Sequence, residues 1–188
     1  MHKSIINIAD VELVPRPAEH APKGESASQY GLRMGRIGPS IGARNLGYNI
    51  TAVPPGKRAF PFHSHRVNEE MFFVLSGSGE IRIGSETFPL KSGDIVACPA
   101  GGPETAHQII NSGPDELRYL AVSTRISPEV CEYPDSAKFG VYGEFQPDDP
   151  AQKKLFRFMS RYVFGQTATL DGYLTPLAKK FGESATPQ

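Results

Sequence analysis

The chain has 188 residues, with 20 lysines and arginines against 20 aspartates and glutamates, so its formal charge is zero. That balance excludes a nucleic-acid binder held by a global basic field, because phosphate recognition needs clustered excess cation. It also excludes a long acidic tail. Its 19 glycines and 17 prolines exceed the usual share of about 12% without reaching a disordered composition. With 39% hydrophobic residues, the chain can bury a real core.

No apolar run approaches the roughly 18 residues that cross a bilayer. The segment Met1–Asp10 meets an acid before a signal-peptide apolar stretch is complete. A cytoplasmic protein with no membrane and no nucleic-acid partner is expected. In a reducing compartment Cys98 and Cys131 need not pair. Both are read as free, Cys98 on a strand and Cys131 in a loop.

Residues 1–45 carry Pro15, Pro17, Pro22 and Pro39 among five glycines. They are expected to form an extended arm, with short strands near Ile5–Ile8 and Tyr30–Arg36, lying on a sheet edge of the same chain or of a partner. Residues 46–125 differ. Eight apolar runs (Leu46–Val53, Phe60–His65, Glu70–Leu75, Glu80–Ile83, Glu86–Leu90, Ile95–Cys98, His107–Ile110 and Leu117–Thr124) alternate with Gly, Pro, Ser and Asn turns. This is the rhythm of an all-β sandwich or barrel. The connections are too short for crossover helices, so the pairing should be antiparallel.

Residues 126–188 are read as a connecting stretch followed by helices. Asp149 can cap a helix and Pro150 suits its first turn. Leu155, Phe156, Phe158, Met159, Tyr162 and Val163 then share one arc, opposite Lys153, Lys154, Arg157, Ser160 and Arg161. Such a helix would pack on the barrel or on a second subunit. A second, shorter helix is expected from Thr175 to a stop at Gly182.

The chemistry concentrates in Gly56–Gly77. In a strand, residues two apart face one side, which puts His63 and His65 about 7 Å apart and side by side. Two imidazoles so placed can converge on one ion with bonds of about 2.0–2.1 Å. A turn at Arg66–Asn68 returns the chain, so that Glu69 or Glu70 can offer an oxygen. His107 opens a strand after a Gly/Pro loop and is a further candidate ligand.

These residues resemble the two motifs of the cupin superfamily. The first is a glycine, His-x-His, a glutamate and a closing glycine. Here it reads Gly56, His63, His65, Glu70 and Gly77, with one extra residue before His63; the family spacing selects Glu70 over Glu69. The second reads Gly93, Pro99, Gly101, His107 and Asn111, with three extra residues between Gly101 and His107. Pro103–Asn111 and Leu117–Thr124 are similar to small bacterial cupins of the sugar-phosphate-isomerase-like and auxin-binding-like kinds.

The resemblance implies an antiparallel double-stranded β-helix, a jelly-roll barrel, with one divalent ion held by His63, His65, Glu70 and His107. Three neutral imidazoles and one carboxylate leave such an ion with one net positive charge, and these donors suit Fe, Mn, Ni, Co, Cu or Zn. Tyr48, Arg58 and Phe72 are candidates for a substrate pocket. Phe60, Phe62, Phe73, Arg82 and Arg118 are further possible lining groups, Glu69 reads as a solvated side chain, and Asn111 as a turn former. The functional expectation is a metal-dependent enzyme on a small oxygenated metabolite, isomerase-like or dioxygenase-like. The alternative is a non-catalytic cupin that binds a sugar or organic acid. A homodimer is expected.

Overall fold

The computed structural model describes residues 4–17, 24–145 and 154–161. Two antiparallel layers face each other. The strands of the first are β1 (Val14–Pro15), β2 (Arg33–Arg36), β3 (Leu46–Val53), β5 (Glu70–Ser76), β8 (Ile95–Cys98) and β10 (Leu117–Thr124), in the spatial order β1-β2-β3-β10-β5-β8. The second layer has two pieces. One contains β6 (Ser78–Ile83), β7 (Glu86–Lys91) and β9 (His107–Ile110), in the order β7-β6-β9. The other contains β4 (Ser64–His65), β11 (Glu129–Tyr133), β12 (Lys138–Phe145) and β13 (Lys154–Arg161), in the order β13-β12-β11-β4.

The two pieces join where His63 and His107 bridge antiparallel next to β4 and β9. Strand alternation fills the space between the layers. Phe72 and Val74 of β5 point inward with Leu117, Tyr119 and Ala121 of β10, and they meet Ile81 of β6, Leu90 of β7 and Ile109 of β9. All of these are buried. At about 25 cal/mol per Å² of apolar surface, this inward face is the main stabilising term of the barrel. The architecture is all-β, and the described residues contain only short 3₁₀ turns besides strands.

Several sequence expectations are corrected. Residues 154–161 form a strand, β13, pairing residue for residue with β12 from Lys138↔Arg161 to Phe145↔Lys154. Over eight residues the Leu-Phe-Arg-Phe-Met order fits a strand as well as a helix, and the free edge of β12 decides between them. The Thr175–Gly182 helix lies outside the described residues. The stretch after Thr124 holds two strands, β11 and β12, and Cys131 belongs to β11 rather than to a loop. No strand forms at Ile5–Ile8. A 3₁₀ turn at Ile8–Asp10 stands there, with the Asn7 side chain accepting from the Ala9 amide. Of Phe60–His65, only Ser64–His65 is in a strand. Within residues 1–45, β2 pairs with β3 through Arg33↔Ala52 to Arg36↔Asn49.

Candidate metal centre

Three chain segments meet at one point. His63 and His65 flank the entry to β4, Glu70 opens β5, and His107 opens β9. Their ligand atoms all lie within 4.8 Å of one another. His107 Nε2 is 3.1 Å from Glu70 Oε2, and His65 Nε2 is 3.6 Å from the same oxygen. Ring centroids of His63 lie 4.7 Å from His107 and 5.0 Å from His65. The backbone fixes this meeting. His63 donates its amide to the His107 carbonyl at 3.2 Å, and His107 donates to His63 at 2.8 Å.

The other ring nitrogens face acceptors, which sets the tautomers. His63 Nδ1 is 2.8 Å from the Pro61 carbonyl, and His107 Nδ1 is 3.3 Å from that of Thr105. His65 Nδ1 lies 3.2 Å from Cys131 Sγ and 3.6 Å from Glu129 Oε2. A proton on each Nδ1 leaves each Nε2 lone pair for the cluster, the arrangement that orients metal-binding imidazoles. His65 Nε2 is buried without a hydrogen-bond partner. An unsatisfied buried nitrogen is costly, and an ion ligated there would satisfy it. The donor set and this orphaned nitrogen fit a divalent ion.

Electrostatics agree with that fit. Burial, then the neighbouring His107 and His65, lower His63 to about 3, so its ring is neutral at pH 7. For Glu70, burial would raise the pKa, but the His107 contact and the charges of the imidazoles bring it down to about 2. Burial would likewise lower His65. The contacts with Cys131 and Glu129 and the charge of Glu70 outweigh it and raise His65 to about 10. Without an ion, a proton therefore takes its place between two carboxylates.

A cavity of about 220 Å³ opens on the cluster, lined by Phe60, Phe72, Gln108, Tyr119 and Asn49 among others. Burial raises the Tyr119 hydroxyl well above the usual phenol range, so it stays protonated. Phe72 lines this cavity; Tyr48 and Arg58 are not among its lining residues. Tyr48 is half-buried on β3 opposite Val122, and Arg58 bridges to Tyr30 and Ile110. Arg82 covers the Phe62 ring at 3.6 Å and pairs with Asp135 at 2.9 Å. Arg118 and Phe73 are half-buried, and Glu69 is exposed.

Sequence reasoning missed Glu129. Its Oε1 accepts the amides of Arg66, Val67 and Val130, and its Oε2 accepts the amide and side-chain nitrogen of Asn68. The carboxylate thus folds the turn that comes after His65. No motif announces it; the only trace is an acid in a run too apolar for a solvated loop, Glu129-Val130-Cys131. Tyr133, stacked on His63 at 6.0 Å, was missed for the same reason.

Residues 49–123 match the family described as cupin domain. An uncharacterized protein of Methanocaldococcus jannaschii is 35% identical over 71 residues, covering 38% of this chain and 54% of that protein. The oxalate-binding protein of Thermotoga maritima is 31% identical over 70 residues, 37% of this chain and 54% of that protein. The chain thus spans about half the length of the curated relatives it matches. A solved sugar phosphate isomerase from a cupin superfamily, from Silicibacter pomeroyi, superposes with a TM-score of 0.69 at 23% identity, covering 89% of this chain and 98% of that one. That last likeness is one of fold.

Proposed function

We propose that this chain, whose residues 49–123 match the cupin domain family, is a divalent-metal-dependent enzyme acting on a small oxygenated metabolite. The observation that carries the reading is the convergence of His63, His65, Glu70 and His107 with each imidazole turned by an acceptor at Nδ1. Fe, Mn, Ni, Co, Cu or Zn suits three nitrogens and one carboxylate oxygen. Such an ion, when bound, supplies Lewis acidity and a template for a chelating diol, enediol or hydroxy acid.

The chain's own groups shape the space beside the cluster. Phe60, Phe72, Ala59 and Ile109 exclude water, while Gln108 and Asn49 offer amides to a polar ligand. Gln108 is partly committed, donating to the Phe60 carbonyl at 2.7 Å. Among the described residues, and apart from the four of the cluster, the lining holds no carboxylate, lysine or imidazole. An isomerase needs a base within hydrogen-bond reach of the carbon acid, so this lining favours dioxygenase-like over isomerase-like chemistry. It also supports the second reading, a non-catalytic cupin that grips an organic acid through the metal. The oxalate-binding relative is consistent with that reading.

Elemental analysis of native protein and of His65→Ala tests the metal assignment: about one ion per chain is expected in the first and a large loss in the second. Equal metal content in both would overturn it. Oxygen uptake over a panel of hydroxy acids, diols and sugar phosphates then separates dioxygenase from redox-neutral or purely binding behaviour. The reading includes a cytoplasmic homodimer. Exposed Ile5, Ile8 and Val14 on the arm support association, and light scattering measures it.

A further inference from the structure

We propose that His65, Glu129 and Cys131 form a second metal site, back to back with the first cluster, that takes a thiophilic divalent ion of the zinc kind. Strand register places the three donors. Glu129 and Cys131 stand two apart on β11, so their side chains share one side, and Cys131 pairs with His65 across β11 and β4. The imidazole of His65 therefore offers opposite nitrogens to two groups of ligands. Its Nε2 faces Glu70, and its Nδ1 faces Cys131 and Glu129.

The ligand atoms of this second group also lie within 4.8 Å of one another. His65 Nδ1 is 3.2 Å from Cys131 Sγ and 3.6 Å from Glu129 Oε2. A tetrahedral ion with a metal–sulfur bond of about 2.3 Å and metal–nitrogen and metal–oxygen bonds of about 2.0–2.2 Å holds such donors about 3.4–3.6 Å apart. The bonds that Glu129 Oε2 accepts from the Asn68 amide and side chain fix it in place, as ligating carboxylates are fixed by hydrogen bonds. Glu129 and Cys131 are both buried. A second cavity, of about 240 Å³, opens on the group, with Ser123, Thr124 and Tyr142 in its wall. It supplies an entry path and room for water in the fourth position.

The two donor sets differ in kind. The first cluster offers no sulfur, whereas the second offers a thiolate, the ligand that selects zinc-like ions over manganese. Binding releases the Cys131 thiol proton and the His65 Nδ1 proton to solvent, so the ion takes the place that the Nδ1 proton holds in its absence. With both groups filled, His65 bridges as an imidazolate. The carboxylates of Glu70 and Glu129, the thiolate and the imidazolate then carry as much negative charge as two divalent ions carry positive, and this balance suits a buried site. Only that two-ion state rests on the metal reading of the first cluster; the second site does not need it.

The test titrates the full chain with Mn(II) and, separately, with Cd(II). It follows ions per chain by elemental analysis and the ultraviolet thiolate-to-cadmium charge-transfer band. Wild type should hold about one Mn(II) without such a band and about two Cd(II) with it. His107→Ala removes a ligand of the first cluster alone, so Mn(II) should be lost and the cadmium band kept. Cys131→Ser should do the reverse, keeping Mn(II) and losing the band with one Cd(II). Cys98 and Cys131 are the chain's only cysteines, so a band retained in Cys98→Ala identifies Cys131 even where Cys131→Ser folds poorly. A wild type without the band, a band that survives Cys131→Ser, or one that disappears in His107→Ala or Cys98→Ala overturns the second site. The two readings fail separately. Mn(II) uptake without a cadmium band sinks the second site alone, and a cadmium band without Mn(II) uptake sinks the first cluster's reading alone.

Discussion

The Glu129 carboxylate stands 3.6 Å from His65 Nδ1 while accepting hydrogen bonds from the backbone of Arg66, Val67, Asn68 and Val130. One acid thus shapes the turn after a ligand candidate and faces that ligand's outer nitrogen. Replacing it by glutamine keeps the size and removes the charge. In Glu129→Gln, metal affinity should fall by about 10–100-fold, the usual effect of losing a group that orients a ligating histidine. Competition with a fluorescent chelator measures it. Unchanged affinity would mean that Glu129 serves the turn alone.

The cluster's proton affinities give the metal-free protein a specific pH profile. His65 is raised to about 10, so its contribution to stability is complete below its unfolded value of about 6.5 and is lost as pH rises through 10. His63, lowered to about 3, acts oppositely, costing stability as pH falls below about 6.5. Glu70 and Glu129, both held at about 2, contribute stability that is lost as pH falls from about 4.5 through 2. Chelator-treated protein should therefore have its highest Tm near pH 6.5 and lose it on both sides. In loaded protein the ion replaces the His65 proton, so the alkaline decline should flatten while acid releases the metal. Thermal melts from pH 3 to 10 on both forms check this; a metal-free Tm that is flat from pH 6.5 to 10 counts against it.

Gly77 closes the first motif for a steric reason. Its φ is +81°, and a Cβ there would stand 2.5 Å from the Glu116 carbonyl oxygen and 2.9 Å from Leu117 Cα. Neither neighbour is a side chain that can swing away. Gly77→Ala should destabilise the fold by about 1–3 kcal/mol through overpacking and left-handed strain. Urea unfolding reads the loss, with metal content per folded chain unchanged.

Asn111 is fully buried. Its Nδ2 donates to the carbonyls of Val53 and Asp115 at 2.7 and 2.8 Å, and its Oδ1 accepts from Gly113 at 3.0 Å. Asn111→Ala strands these partners, each worth about 1–3 kcal/mol when left unpaired in the interior. A large fall in the urea midpoint is expected, and Asn111→Asp should not restore it, because a carboxylate cannot donate to two carbonyls.

Seven of the eight runs between Leu46 and Thr124 were legible as strands because turn residues punctuate them, whereas of Phe60–His65 only Ser64–His65 is in a strand. Beyond Thr124 that signal fails. Glu129 and Glu132 are buried acids in β11, so the strand does not alternate as a half-solvated one does, and Pro128, Pro134 and Gly140 read as connection. The 154–161 segment was ambiguous in period, and only β12 beside it settles the geometry. The convergence of His63, His65, Glu70 and His107 could be read from motif spacing, whereas Tyr48 and Arg58 did not reach the cavity because strand parity is invisible in the letters. The stacking of Arg16 on Phe60 was out of reach altogether: nothing local says that an arm residue will land on a ring 44 positions away.

The paired amides of His63 and His107 make the cluster a clock as well as a site. They are the stitch between the two pieces of the second layer, so their hydrogens exchange with solvent only when that seam parts. An ion shared by the two side chains would hold the seam shut from the other face. The exchange lifetime of two backbone protons would then count how often the protein lets its cargo go.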